Sequence, residues 1–147
     1  MRAPYQILAI PYRLTDGVPL FCVLHRADCD QWQFVAGGGE DAETPEEAAI
    51  REISEEAGIP AAEIFPLTAM CYIPAGVISE ERRAGWPENT FVIPEYAFAF
   101  RCVGTPVLSH EHDAFVWLDY TEAAKRLQWD SNRTALYELN QRLLQTT

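Results

Sequence analysis

Apolar and polar positions along the chain fall into short blocks whose period changes, and the changes mark the elements. Residues 5–13 (YQILAIPYR) and 19–26 (PLFCVLHR) are apolar-rich runs that predict two strands, joined as a hairpin across Thr15-Asp16-Gly17. A polar stretch, ADCDQ, leads to a short strand at 32–35, which feeds Gly37-Gly38-Gly39, predicted as a loop. The period then becomes helical. Thr44 is suited to cap, Pro45 to the first turn, where a missing N–H costs nothing, and Glu47 to close a capping box, so a helix is predicted over 45–57. Gly58 suits the left-handed residue that ends it, with Pro60 just beyond. Further strands are predicted at 64–73, at 90–103 and at 114–118; Pro94 within the second suggests an edge or a bulge. Residues 74–89 read as a substantial loop. A brief helix over 121–129 precedes a final one, capped by Asp130 or Ser131 and carrying Leu136, Leu139, Leu143 and Leu144 as a core set. Mixed strands with a central and a terminal helix imply an α/β sandwich, with residues 1–147 forming a single domain.

The central helix carries the chemistry. Gly37, Glu43, Arg51-Glu52-Ile53, Glu55-Glu56 and Gly58-Ile59 fill the pattern G-x5-E-x7-R-E-U-x-E-E-x-G-U, where U is a bulky aliphatic. Seven positions demand one residue type each, so a chance match is on the order of one in a hundred million per window. At about 100° per residue, Glu52, Glu55 and Glu56 share an arc of roughly 100°, while Ile50, Ile53 and Ala57 form a separate apolar stripe. Three carboxylates on one face repel one another. A hard divalent cation would offset that, and magnesium typically combines a few carboxylates with waters and phosphate oxygens. The glycines allow close backbone approach, so a carbonyl there can join the ligands. A solvated acidic face is the alternative, and it leaves the glycines, the cap and Arg51 unexplained.

Composition sharpens this. Of 147 residues, 48% are hydrophobic and 22% charged, as in a globular chain; no apolar run approaches a membrane span and no basic, apolar leader opens the sequence, so a cytoplasmic location is the expectation. Cys22, Cys29, Cys71 and Cys102 lack C-x-x-C spacing and read as reduced, partly buried thiols. A formal charge of −11 argues against duplex nucleic acid as a partner. It would also repel a polyanionic substrate unless metal ions and local arginines reverse the field at the site.

The pattern at 37–59 is the Nudix box, and with the strand order around it the chain resembles the Nudix hydrolase superfamily, whose members cleave a nucleoside diphosphate linked to another moiety. The resemblance implies an α/β/α sandwich with a mixed β-sheet and attack by water on phosphorus, dependent on magnesium or manganese. By position, Glu52, Glu55 and Glu56 resemble the metal ligands, with the Gly37 carbonyl as a backbone ligand. Arg51 resembles the arginine that orients them, and Glu43 the supporting glutamate. The general base varies across the superfamily; Glu55, Glu56 and Glu111 are eligible, and Glu111, in His110-Glu111-His112, resembles a further ligand or base, with an exposed loop carboxylate as the other reading. His110 and His112 themselves read as surface residues.

Trp32-Gln33-Phe34, Glu111-His112, Trp117-Leu118-Asp119 and Ser131-Asn132-Arg133 are together similar to dihydroneopterin triphosphate diphosphatases, also described as dATP pyrophosphohydrolases. Ala36 departs from the proline that many Nudix proteins carry there. Arg26 and Arg133 are the arginines expected near phosphates. Tyr72, Trp86, Tyr96, Phe98 and Trp129 are candidates to stack on a pterin or purine, Tyr96 being taken as substrate-binding. The function this implies is cleavage of a nucleoside or pterin triphosphate to the monophosphate and pyrophosphate. Pro74, near a marker proline of ADP-ribose-type members, keeps ADP-ribose or dinucleoside polyphosphate hydrolysis open. A non-catalytic nucleotide-sensing domain is the reading from another class, opposed by the complete set of box glutamates. A homodimer stays open.

Overall fold

The computed structural model describes residues 1–145. Strands β1 (Arg2–Thr15) and β2 (Val18–Arg26) form the expected hairpin. Asp16 and Gly17 sit at φ 51° and 78°, the pair of left-handed positions that a tight two-residue turn requires. Then come β3 (Trp32–Gln33), β4 (Val35–Glu40), α1 (Pro45–Ala57), β5 (Ala62–Pro74), a single 3-10 turn at Ala75–Val77, β6 (Val92–Arg101), β7 (His112–Leu118), α2 (Tyr120–Arg126) and α3 (Asp130–Gln145). The strands make one mixed sheet, ordered β3-β2-β1-β6-β5, with β4 also on β1 and β7 on β2. Only β1 and β6 run parallel among the paired strands.

Alternation along β1 and β6 sends neighbouring residues to opposite faces. Leu8, Ile10, Ala97 and Ala99 pack with Ala123 and Leu127 near α2 and with Leu136, Leu139 and Leu143 of α3. Ile7, Ala9, Phe98 and Phe100 pack instead with Ala48, Ala49, Ile53 and Ala57 of α1. The result is the α/β/α sandwich. The cysteines are free thiols, with Cys22 and Cys102 buried. No helix among the described residues is long and apolar enough to cross a membrane.

Several expectations change. Gly37-Gly38-Gly39 is not a loop: it lies within β4, paired to β1 through Ile7↔Gly37 and Gln6↔Gly38. None of the three has a positive φ, so glycine is needed here for room. A β-carbon on Gly37 would fall on the Glu52 carboxylate, and one on Gly38 on the Arg2 guanidinium. β6 is not an edge, yet Pro94 lies at its start, where β5 is paired and β1 is not, so its missing N–H breaks no ladder on the β1 side. Asp130 is the first helical residue of α3 and not its cap; its carboxylate pairs with Arg133. Leu144 is half-exposed and outside the core set.

Candidate active site

The cap of α1 forms as its sequence dictates. Thr44 Oγ1 accepts from the Glu47 N–H at 3.2 Å, Glu47 Oε1 accepts from the Thr44 N–H at 2.8 Å, and Gly58 closes the helix in the left-handed conformation. Burial of Ala48, Ala49, Ile53 and Ala57 fixes the rotation of the helix. That rotation grades the acidic face: Glu56 is 2% exposed, the Glu52 side chain 13% and the Glu55 side chain 57%.

Arg51 ties this face to the sheet. Its Nε and Nη2 donate to the two Glu43 oxygens at 2.8 and 3.0 Å, Nη2 also to the Gly38 carbonyl at 2.8 Å, and Nη1 to Glu52 at 2.9 Å and Glu55 at 3.3 Å. Glu43 in turn accepts from the Glu40 N–H at 2.8 Å. These bonds hold the Glu43 carboxyl below its ordinary range and the Arg51 guanidinium above its own. One guanidinium cannot neutralise four neighbouring carboxylates. Burial pushes Glu52 and Glu56 upward, and the neighbouring Glu52 and Glu111 carboxylates lift Glu56 further.

Glu56 Oε2 is buried without a partner. Its other oxygen lies 3.6 Å from His112 Nδ1, also unpartnered. His112 is thus not the expected surface residue: at 4% exposure it is kept neutral by burial. Gln33 Nε2 approaches His112 Nε2 at 3.2 Å, so that nitrogen accepts and the ring proton is assigned to Nδ1, facing Glu56. Among the described residues no three His, Cys, Asp or Glu side chains close around an ion by themselves. The donors are hard oxygens, one orphaned, in an open cradle beside Gly37. That fits magnesium, which keeps waters and phosphate oxygens in its shell.

A cleft continues from this face. A cavity of about 360 Å³ is lined by Gly37, Glu52, Glu55, Glu56, Arg82 and Glu111. It shares Glu56, Arg82 and Glu111 with a second of about 440 Å³, which adds Arg2, Arg26 and His112. Arg26, Gln33 and Ala36 lead on to a pocket of about 230 Å³ walled by Pro74, Val77, Ile78 and Trp129. The structure therefore brings together Gly37, Arg51, Glu52, Glu55, Glu56, Glu111 and Arg26. Arg26 is held by Asp28 through bonds of 2.8 and 2.6 Å.

Two predicted substrate residues lie elsewhere. Arg133 bonds the Leu127 carbonyl and Asp130 and lines none of these cavities. Tyr96 points to the α1 face, edge-on to Tyr5 with ring centres 6.0 Å apart, whereas its neighbour Glu95 lines the pocket. Phe98 is core, and Trp86 donates to the Arg2 carbonyl at 2.6 Å; Trp129 is the stacking candidate that lines the pocket. Glu95, Arg2 and Arg82 are site residues that the sequence pattern does not single out, whereas Asn132, from the segment Ser131-Asn132-Arg133, does line the pocket. A lone glutamate in the apolar run VIPEYAFAF was the signal for the first.

A mixed sheet between helices, with an acidic helix face opening on an arginine-lined cleft, is an arrangement suited to a cation and a phosphorylated ligand. The NUDIX domain matches residues 7–139, and the chain belongs to that family of hydrolases. It is 42% identical to a Nudix hydrolase of Listeria monocytogenes, with a TM-score of 0.86 over 98% of this chain and 97% of that one. The dihydroneopterin triphosphate diphosphatase of Escherichia coli K12 is 29% identical over 141 residues, 92% of this chain and 91% of the relative. The structure of the E. coli dihydroneopterin triphosphate pyrophosphohydrolase aligns with a TM-score of 0.75 at 27% identity, covering 95% and 97% of the two chains.

Proposed function

We propose that the protein cleaves a nucleoside or pterin triphosphate to the monophosphate and pyrophosphate, with magnesium as the working cation and manganese as a substitute. The observation that supports this is the continuity of the cleft, from Glu52 and Glu56 past Arg26 and Arg82 to the pocket beside Trp129. The E. coli relative named for dihydroneopterin triphosphate supports the substrate class. Retention of all the box glutamates supports catalysis over sensing.

On this reading Glu52, Glu55, Glu56 and the Gly37 carbonyl hold the cation. When bound, magnesium neutralises phosphate charge and makes water more acidic. Arg51, braced by Glu43, keeps the carboxylates aligned, and Arg26 and Arg82 face the phosphates. Water attacks phosphorus and the α–β anhydride bond breaks, its electron pair leaving on the departing phosphate oxygen. Glu111 or Glu55, the exposed carboxylates bordering the cleft, takes the proton from water. Glu111 is a further ligand if it turns toward Glu56. The partners are then a small phosphorylated metabolite and the metal, in the cytoplasm, with the chain acting alone or as a homodimer.

The test is a substrate panel in oxygen-18 water: nucleoside triphosphates, dihydroneopterin triphosphate, ADP-ribose and dinucleoside polyphosphates, each with magnesium. Triphosphates are expected to turn over, and the labelled phosphorus identifies which one water attacks. Inertness toward triphosphates with rapid cleavage of ADP-ribose would overturn the proposal.

A further inference from the structure

One buried acid stands apart from the phosphate and cation chemistry. Glu95, on β6, is 8% exposed and lines both the pocket beside Trp129 and an adjoining cavity of about 410 Å³. Its neighbours are the Cys71 thiol, 3.6 Å away, and the Ser131 hydroxyl. Among the described residues no arginine, lysine or histidine forms an ion pair with it. A thiol is a weak donor, and an ionised carboxylate offers about four lone-pair sites, so most of its accepting capacity is unmet. Burial of such a group is costly unless donors satisfy it. Burial accordingly pushes the Glu95 carboxyl above its usual range, with Ser131 and Cys71 opposing.

The surroundings specify what would satisfy it. Trp129, half-exposed, lines one side of the pocket, and Pro74, Val77 and Ile78 supply further apolar wall: a slot for a flat ring. Arg26, Gln33 and Ala36 are shared with the arginine-lined cavity, so a ring seated here has its phosphates directed toward α1. Glu95 then meets the edge of the ring. Asn132, buried, and Gln6 line the same pocket and carry amide donors suited to a ring carbonyl.

We propose that Glu95 is the residue that selects the heterocycle, accepting two adjacent N–H donors, so that the preferred triphosphates carry a 2-amino-4-oxopyrimidine edge, as guanine and pterins do. This rests on the triphosphate reading given under Proposed function and narrows it. In that edge a ring N–H stands beside an exocyclic amine, spaced to match the two carboxylate oxygens as a guanidinium does. Adenine and cytosine place an unprotonated ring nitrogen beside the amine, so one donor is lost and a lone pair faces a lone pair. Hypoxanthine keeps the ring N–H and lacks the amine.

The experiment compares kcat/KM for guanosine, inosine, adenosine and dihydroneopterin triphosphates in the wild type, Glu95→Gln and Trp129→Ala, with titration calorimetry of guanosine and adenosine monophosphates. The wild type is expected to favour guanine and pterin over adenine by at least about tenfold, with hypoxanthine between. Glu95→Gln should collapse that ratio with little change in melting temperature, and Trp129→Ala should weaken all substrates alike. Equal rates for guanine and adenine, or a preference that survives Glu95→Gln, would overturn the inference while leaving the pyrophosphohydrolase reading intact. If triphosphates are inert, that reading falls; tighter binding of guanosine than adenosine monophosphate, lost in Glu95→Gln, would still support the role of Glu95, and equal binding would overturn it. Should Glu95→Gln fail to fold, the wild-type ratio of guanosine to inosine triphosphate decides, and a ratio near one overturns the inference.

Discussion

Glu56 carries the sharpest residue-level consequence, because it is a buried acid with an orphaned oxygen. Glu56→Gln keeps the shape and removes the charge, so kcat should fall by about 100-fold or more, equivalent to about 2.7 kcal/mol of barrier. The fold should survive. In chelator its stability should respond to pH in a defined sense. The carboxyl of wild-type Glu56 sits above its unfolded value because of burial and the adjacent Glu52 carboxylate, so the folded state binds more protons once pH exceeds the ordinary glutamate range. Metal-free wild type should therefore lose stability as pH rises through that window, and Glu56→Gln should lose less. Melting curves at pH 5 and 8 in chelator check this; parallel losses would contradict it. Glu111→Gln bears on the proton transfer: as base or ligand it should lower kcat far more than it raises KM, and steady-state kinetics separates the two. The box residues were legible because each demanded one residue type at one spacing. The pocket residues were not. Glu95 and Tyr96 differ by one position, and strand alternation sends them to opposite faces. The segment from Val92 gives no turn or cap to set that parity; only pairing with β1 and β5 does.

At the level of elements, α3 holds the outer strand in place. The Glu138 oxygens accept the N–H groups of Thr68 and Ala69 at 2.8 and 2.6 Å, within the stretch of β5 where the register with β6 shifts. Burial pulls the Glu138 carboxyl up, but these two bonds and Arg142 outweigh it and hold the group below its usual range. Its contribution is thus complete above the unfolded value and fades as pH falls through the folded one. Glu138→Ala should cost about 1–2 kcal/mol at neutral pH, and the difference from wild type should shrink in acid; urea titrations at pH 7 and 4 measure both. Caps, turns and apolar stripes made most elements readable in advance. The glycine strand escaped because its glycines answer to Glu52 and Arg2, side chains that approach only after folding. The start of α3 escaped for a related reason: the N–H groups of Asn132 and Arg133 bond the Trp129 carbonyl, so Trp129 stands at the cap position and the helix begins at Asp130, one or two residues earlier than a cap at Asp130 or Ser131 predicts.

Taken whole, the molecule concentrates scarce positive charge where a polyanion must sit. Against a net charge of −11, Arg2, Arg26, Arg51 and Arg82 arrive at the cleft from β1, β2, α1 and the loop after β5. Arg2 is buried there and lowered to about 10, chiefly by burial and then by Arg82. On the proposed reading, four arginines beside the glutamates of α1 would not by themselves balance those carboxylates and a triphosphate, and a bound cation would supply the missing charge. The sandwich and its acidic helix were visible from sequence, since a period and a motif define them; the convergence of Arg2 and Arg82 was not, since it depends on how distant segments close over one cleft. The most direct test of metal-dependent pyrophosphate release is a phosphorus NMR time course of one triphosphate, with magnesium and then with excess chelator. Monophosphate and pyrophosphate should appear together and stop on chelation; orthophosphate as the first product, or turnover that ignores chelator, would contradict the account.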